Sequence, residues 1–324
     1  MQPIHQLISE ITNAKEAQEI EQIQSLWSGY GMISKYALTE SPLQTVVVKK
    51  IVYPNHTNHP RGWNTDSSHQ RKVKSYQVET EWYKSFSTLC NLDCRVPECY
   101  GIEKLGEEQI IVLEDLDAAG FPVRKTELSK EEVKVCLKWL ANFHATFLNV
   151  KPEGLWSIGT YWHLTTRPDE LKAMASSSLK TSASKIDSAL NNAQFQTLVH
   201  GDAKVANFCF SVNKNQVAAV DFQYVGGGCG MKDVVYLLGS CLTDKECNIY
   251  EEELLDFYFR KLKMVLSKSY DVKIINALEV EWRSLYAIAW ADFSRFLLGW
   301  LPTHQKINGY SKVQVKKALK GFSL

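Results

Sequence analysis

The chain lacks a dominant charge: 37 lysines and arginines stand against 36 acidic residues, a formal net charge of +1. No global field therefore draws it to nucleic acid or to an anionic membrane surface, and any charged ligand must be recognised locally. It also lacks a paired-cysteine framework. Its eight cysteines, at 90, 94, 99, 136, 209, 229, 241 and 247, include no Cys-x-x-Cys pair, which points to free thiols in a reduced, cytoplasmic setting. Cys90, Cys94 and Cys99 match no common zinc spacing. Residues 1–10 contain no basic start followed by an apolar core, and nowhere do eighteen apolar residues run uninterrupted. Neither secretion nor a membrane span is expected. There is no internal repeat, and the one biased tract is the short Ser/Thr-rich stretch 176–184, read as a loop or helix end.

What is present is a composition of 45% hydrophobic and 23% charged residues over 324 positions, enough to bury a large core divided between two lobes. Ile4, Leu7, Ile8 and Ile11 recur at helical spacing within 3–18, and β-like runs follow at 20–28, 32–40 and 43–53. A helix leading into an antiparallel meander is expected. A polar stretch, 54–69, precedes a helical pattern over 76–89, and Gln109 to Leu113 reads as a buried strand. Apolar character gives way to turn residues at Glu114-Asp115-Leu116-Asp117, which sets the expected division into residues 1–115 and 116–324. Beyond it, Ser129 and Glu132 form a capping box for a helix to about Asn149.

The most informative stretch is a short strand ending in His200-Gly201-Asp202, then two runs, 207–212 and 217–222, that read as a β-hairpin. A turn centred between Lys214 and Asn215 places Asn207 opposite Phe222 and beside Asp221. One amide oxygen and one carboxylate suit a hard Mg²⁺ ion that keeps several waters. A second carboxylate, Asp202, then stands ready to accept a proton from an attacking hydroxyl.

The run His200-Gly201-Asp202-Ala203-Lys204-Val205-Ala206-Asn207 resembles the His-Gly-Asp-x-x-x-x-Asn catalytic loop of the aminoglycoside phosphotransferase and choline kinase superfamily. The resemblance implies Asp202 as catalytic base, with His200 positioning the loop, and Asn207 and Asp221 as metal ligands. Asp221-Phe222-Gln223 stands where that superfamily carries Asp-Phe-Gly, in the Asp-Phe-Gln form of its ecdysteroid-kinase-like branch. Glutamine in place of glycine removes easy access to positive φ and with it the backbone flip of regulated protein kinases. Asp233 resembles the later aspartate that steadies the catalytic loop.

The resemblance extends to the amino-terminal part and covers the chain from about Gly29 to Leu238, the carboxy-terminal helices matching in kind more than in residues. Ser28-Gly29-Tyr30-Gly31 resembles the glycine-containing loop over nucleotide phosphates, Lys49 the lysine on the α and β phosphates, and Glu79 its ion-pair partner. Lys50 is the alternative lysine, because strand alternation sends the two neighbours to opposite faces. Residues Glu114 to Leu116 would form the hinge whose backbone contacts adenine, with the contacting peptide left open. The implied fold class is α+β, a two-lobed protein-kinase-like fold with a small antiparallel-sheet N-lobe and a larger, mainly helical C-lobe.

Other features have plainer readings. Gly226-Gly227-Gly228-Cys229-Gly230 follows a hairpin rather than opening a helix after a parallel strand, so it is a tight loop past Asp221 and no dinucleotide site. Residues 55–74 read as a long loop that closes over the nucleotide, with Arg61, Arg71, Lys72 and Lys74 near phosphate or on a solvated basic face, and His56, His59 and His69 spaced too irregularly for a metal. Trp282, Tyr286, Trp290, Phe293, Leu297 and Trp300 share a stripe of a helix over 279–301, which is core, with one or two rings free to wall an acceptor pocket. The expected function is transfer of the ATP γ-phosphoryl group, with Mg²⁺, to a hydroxyl of a small molecule. A kinase-shaped binding module without turnover is the alternative. A protein kinase is disfavoured, since only residues 222 to 232 separate Asp221 from Asp233 and leave no room for a peptide platform.

Overall fold

The computed structural model describes residues 3–26, 29–53 and 66–322. Ser28 of the glycine-containing turn lies outside them, as do His56, His59 and Arg61 of the 55–74 segment.

The chain opens with helix α1 (Ile4–Thr12), which ends six residues earlier than the apolar spacing suggests. Asn13 takes a left-handed conformation at φ 49° and donates its N–H to the Ser9 carbonyl, closing the helix. Strands β1 (Glu16–Ser25), β2 (Gly31–Thr39) and β3 (Thr45–Ile51) form the meander. Helix α2 (Asp66–Glu81) follows and runs into a π-helical turn at Trp82–Phe86. The second half of the expected loop is therefore helix: Arg71, Lys72 and Lys74 lie on α2, whose polar first half hides the helical period.

Strands β4 (Cys99–Leu105) and β5 (Glu108–Glu114) complete a five-stranded antiparallel sheet in the order β1-β2-β3-β5-β4. Central strand β3 is rich in β-branched residues and is covered on both sides. Val46 and Val48 pack with Ile110 and Val112 against Ile8 of α1. On the other face Ile51, Ile111 and Leu113 join the main core with Tyr76 and Val78 of α2. Lys49 belongs to this second face and Lys50 to the first, as strand alternation requires.

The remainder is mainly helical: α3 (Lys130–Thr146), α4 (Pro168–Ala173), α5 (Ser178–Thr181) and α6 (Ala183–Asn191) precede the short strands β6 (Thr197–Val199), β7 (Phe208–Phe210), β8 (Val217–Ala219) and β9 (Gly226–Gly228). Helices α7 (Met231–Cys241), α8 (Asp244–Leu266), α9 (Val272–Trp300) and α10 (Gly309–Lys320) follow. The Ser129–Glu132 capping box opens α3, with both reciprocal bonds made. Trp282, Tyr286 and Trp290 of α9 are buried in the core. The structure is thus α+β and two-lobed, sheet in the N-terminal part and helices in the C-terminal part. Among the described residues no helix is long and apolar enough to cross a membrane.

Strand β9 is the glycine run, paired with β6 rather than looped freely past Asp221. A Cβ on Gly226 would sit 2.2 Å from the Trp156 carbonyl oxygen, so the backbone of 156–159 packs where side chains would stand.

Candidate active site

Between sheet and helices lies a cavity of about 1000 Å³, walled by β2, β3, α2, the end of β5 and the segments around Asp202 and Asp221. The hairpin that supplies Asn207 and Asp221 is shifted from its expected register. Phe208 pairs with Ala219, and the Val220 N–H donates to the Asn207 carbonyl, so Asn207 faces Val220 rather than Phe222. The turn is centred between Asn213 and Lys214 because Lys214 takes the left-handed position at φ 58° and Ser211 Oγ accepts from the Gln216 N–H. Asp221, next to Val220, still stands beside Asn207.

Asp221 itself is left-handed, φ 69°, a conformation that aspartate tolerates better than most residues. Its Oδ1 is shut off from solvent and has no hydrogen-bond partner. Burial alone would lift its carboxyl, but the positive charges of Lys49, Lys204 and Lys72 hold it below the ordinary carboxylate range. A buried, ionised and unpartnered oxygen facing three cations asks for a ligand. Asn207 Nδ2 donates to the Asp202 carbonyl at 2.7 Å and to Asp202 Oδ2 at 3.0 Å, which fixes the amide and leaves its Oδ1 as an acceptor. One carboxylate and one amide oxygen form a donor set that fits Mg²⁺.

Asp202 is buried, and its Oδ2 also accepts from Lys204 Nζ at 2.9 Å, so Oδ1, with the Tyr236 hydroxyl close to the carboxylate, is the oxygen that neither Asn207 nor Lys204 holds. The Asp202 N–H donates to His200 Nδ1 at 3.2 Å, which makes Nε2 the protonated nitrogen and directs it to the Val220 carbonyl at 3.0 Å. His200 thus ties the loop that carries Asp202 to the hairpin and is itself fully buried. Asp233 braces the same loop, accepting from the His200 and Gly201 N–H groups at 2.6 and 2.9 Å, while His144 Nε2 lies 3.1 Å away. Gly201 sits at φ 79°, and a Cβ there would lie 2.1 Å from the Tyr224 carbonyl oxygen.

Lys49 pairs with Glu79, its ammonium 2.8 and 2.6 Å from the two carboxylate oxygens, and both residues are buried. Burial pushes the Glu79 carboxyl up, with Lys49 opposing. Lys50 turns to the opposite face and bridges Glu108, both partly exposed. At the β5 end, the Glu114 N–H is spent on the Glu98 carbonyl and its carboxylate on Arg95, while the Leu116 carbonyl accepts from the Phe121 N–H. The Leu116 N–H makes no hydrogen bond among the described residues, and Leu116 lines the cavity. Gly29 and Gly31 do not line it; Leu26, Tyr30 and Ile33 do. Gly31 is required by the fold, because at φ 123° its missing Cβ would lie 1.9 Å from the Lys50 carbonyl oxygen.

Sequence reading gave Lys204 no role, and put Lys72 and Arg71 either near phosphate or on a solvated basic face. Lys204 lies two residues past Asp202 in the same loop, a spacing that could have flagged it. Lys72 lies two helical turns before Glu79 and so shares its face. Its ammonium donates to Gln223 Oε1 at 2.8 Å, and burial pushes its pKa down to about 8. The cavity is also lined by Tyr161, Tyr224 and Trp300 and by Arg71 and Arg167, the last paired with Glu170 at 3.2 Å. Burial raises the Tyr161 and Tyr236 phenols, which keeps both neutral next to the Asp202 carboxylate.

A model of the ecdysteroid kinase-like family matches residues 64–155 and 157–269. Among solved structures, an ethanolamine kinase of Plasmodium vivax is 12% identical, covering 95% of this chain and 82% of its own at a TM-score of 0.49. A microcompartment-associated aminopropanol kinase is 14% identical, covering 97% and 93% at 0.48. An aminoglycoside phosphotransferase of Streptomyces rimosus is 9% identical, covering 88% and 99% at 0.47. A search of curated proteins finds no match.

Proposed function

The chain belongs to the ecdysteroid kinase-like family, and on that premise we propose that it transfers the γ-phosphoryl group of ATP to a hydroxyl of a small-molecule acceptor. The observation that carries this reading is the unpartnered Asp221 Oδ1, set beside Asn207 and facing Lys49, Lys72 and Lys204. An ionised oxygen without a partner calls for a cation, so Asn207 with Asp221 would hold the Mg²⁺ that accompanies the phosphates, while the lysine ammonium groups around it would meet the phosphate oxygens. When bound, Mg²⁺ supplies charge neutralisation on the phosphate oxygens.

The protein's own groups then divide the work. Lys49, fixed by Glu79, holds the inner phosphates, and the Leu116 N–H is the free hinge donor for the adenine edge. Asp202 Oδ1 takes the acceptor's hydroxyl proton as the acceptor oxygen bonds to the γ-phosphorus and the bond from that phosphorus to the β–γ bridging oxygen breaks, releasing ADP. His200 and Asp233 keep Asp202 in place without touching the reacting atoms. We assign residues 1–115 to the nucleotide-binding lobe and 116–324 to the catalytic and acceptor-binding lobe. The rings of Tyr161, Tyr224 and Trp300 and the guanidinium groups of Arg71 and Arg167 favour a neutral or anionic hydroxylated acceptor with a flat apolar face over a cationic amino alcohol. Eight unpaired cysteines and the need for ATP fit a cytoplasmic setting.

Incubating the protein with ATP, Mg²⁺ and a metabolite library, read by the mass gained on phosphorylation, tests the reading. A phosphorylated hydroxyl compound is the expected product. Absence of both a product and any ATP-induced thermal shift would contradict it, while a shift without product would favour a binding module that has lost turnover.

A further inference from the structure

Three lysines face the neighbourhood of Asp221, and they are not equivalent. Lys49 has Glu79 at 2.6 Å and Lys204 has Asp202 at 2.9 Å. Lys72 has no carboxylate within ion-pair distance among the described residues. Its ammonium rests instead on a neutral amide oxygen, Oε1 of Gln223, which Ser75 Oγ also approaches at 3.3 Å. Lys49 and Lys72 moreover lie against one ring, 5.5 and 4.6 Å from the Tyr76 centroid. Two ammonium groups gathered on one ring repel each other, and ring faces offset only part of that cost.

We propose that Lys72 is a ligand of the nucleotide's terminal phosphoryl group, held on Gln223 until the nucleotide arrives. This rests on the ATP-site reading above. Lys72 lies two turns from Glu79 toward the start of α2 and holds Gln223, whose neighbours Asp221 and Tyr224 line the same cavity as Lys49 and Asp202. That is where the group in transfer must pass. Gln223 suits a resting partner because its amide is neutral: exchanging it for a phosphate oxygen replaces a singly charge-assisted bond with one charged on both sides. A carboxylate at 223 would compete with phosphate, and glycine would give Lys72 nothing to rest on.

The test compares the binding of Mg·ADP with that of Mg²⁺ and a non-hydrolysable ATP analogue, by titration calorimetry, in the native protein, Lys72→Met and Gln223→Met. In Lys72→Met the analogue should bind at least about tenfold more weakly while ADP stays within about twofold, which also shows that the fold and the inner-phosphate site survive. Gln223→Met keeps the ammonium and removes only its resting partner, so it should retain the preference for the analogue. Equal losses for both nucleotides in Lys72→Met, or loss of neither, would overturn the proposal. So would collapse of the preference in Gln223→Met with ADP binding intact, a result that keeps the question decidable even where Lys72→Met does not fold. A native protein that binds neither nucleotide would overturn the ATP-site reading itself, and this proposal with it.

Discussion

Lys49 and Glu79 meet as a buried ion pair thirty residues apart, ammonium to carboxylate at 2.6 and 2.8 Å, joining the central strand of the sheet to α2. Lys49→Met should lower nucleotide affinity or turnover by tenfold or more, since it removes the charge that faces the phosphates. Destabilisation should fall below the roughly 3–5 kcal/mol of a broken buried pair, because burial pushes the Glu79 carboxyl up and lets it take a proton once the opposing Lys49 is gone. Lys50→Met, whose partner Glu108 is itself partly exposed, should stay within about twofold of native turnover and about 0.5 kcal/mol of native stability. ATP titrations and denaturant melts of the two variants check both statements.

The two glycines of the β1–β2 turn should separate in the same kind of melt. Gly31→Ala drives a Cβ into the Lys50 carbonyl at φ 123° and should cost more than about 2 kcal/mol. Gly29→Ala, at φ 77° with nothing within 4 Å of the added Cβ, should cost only about 1 kcal/mol.

Asp233→Asn keeps one acceptor oxygen but turns an amide N–H₂ toward one of the two N–H groups, that of His200 or that of Gly201. The expected loss is about 2–3 kcal/mol of stability. Transfer should fall with it, because the loop carrying Asp202 loses its brace, whereas Mg·ADP affinity should change less than turnover. Melting, calorimetry and turnover of the one variant decide this.

Acid should destabilise the protein through named carboxylates. Burial opposes ionisation of Asp115, Asp187 and Glu279, but hydrogen bonds and nearby cations depress all three: Thr45 and Lys35 at Asp115, His163 at Asp187, Lys263 and Arg283 at Glu279. A carboxyl whose folded pKa lies below its unfolded value stabilises above the unfolded value, and that stability is lost as pH falls through the folded one. The melting temperature should therefore hold down to about pH 5 and drop below about pH 4, where unfolded carboxyls begin to protonate. A rise in melting temperature across that window would contradict the assignment.

The site was legible wherever its residues are contiguous. His200-Gly201-Asp202 and Asn207 lie within one loop, and Asp221 is one hairpin away, so local pattern sufficed despite a register error of two residues. That error came from Lys214 entering the left-handed region, which side-chain pattern does not announce. Lys49 over Lys50 was half legible: alternation says that they part, but only the packing of Val46 and Val48 against α1 says which way. Strand β4 escaped notice because Cys99–Leu105 has no alternating pattern, its residues being half-buried or exposed. Helix α2 was begun too late because its first seven residues, 66–72, are all polar. Lys72, the last of these, was read as loop; its place beside Asp221 depends on contacts across more than 140 residues.

The central claim is that Asp221 and Asp202 do different things in one site, and a Mg·ATP titration of Asp221→Ala and Asp202→Ala beside the native protein tests it most directly. Asp221→Ala should abolish Mg²⁺-dependent ATP binding, since it removes the charged ligand proposed for the metal. Asp202→Ala should bind Mg·ATP close to the native affinity while its transfer to an acceptor, or its background ATP hydrolysis, falls by about 10²-fold or more. Native turnover in Asp202→Ala, or loss of Mg·ATP binding there as complete as in Asp221→Ala, would contradict the account.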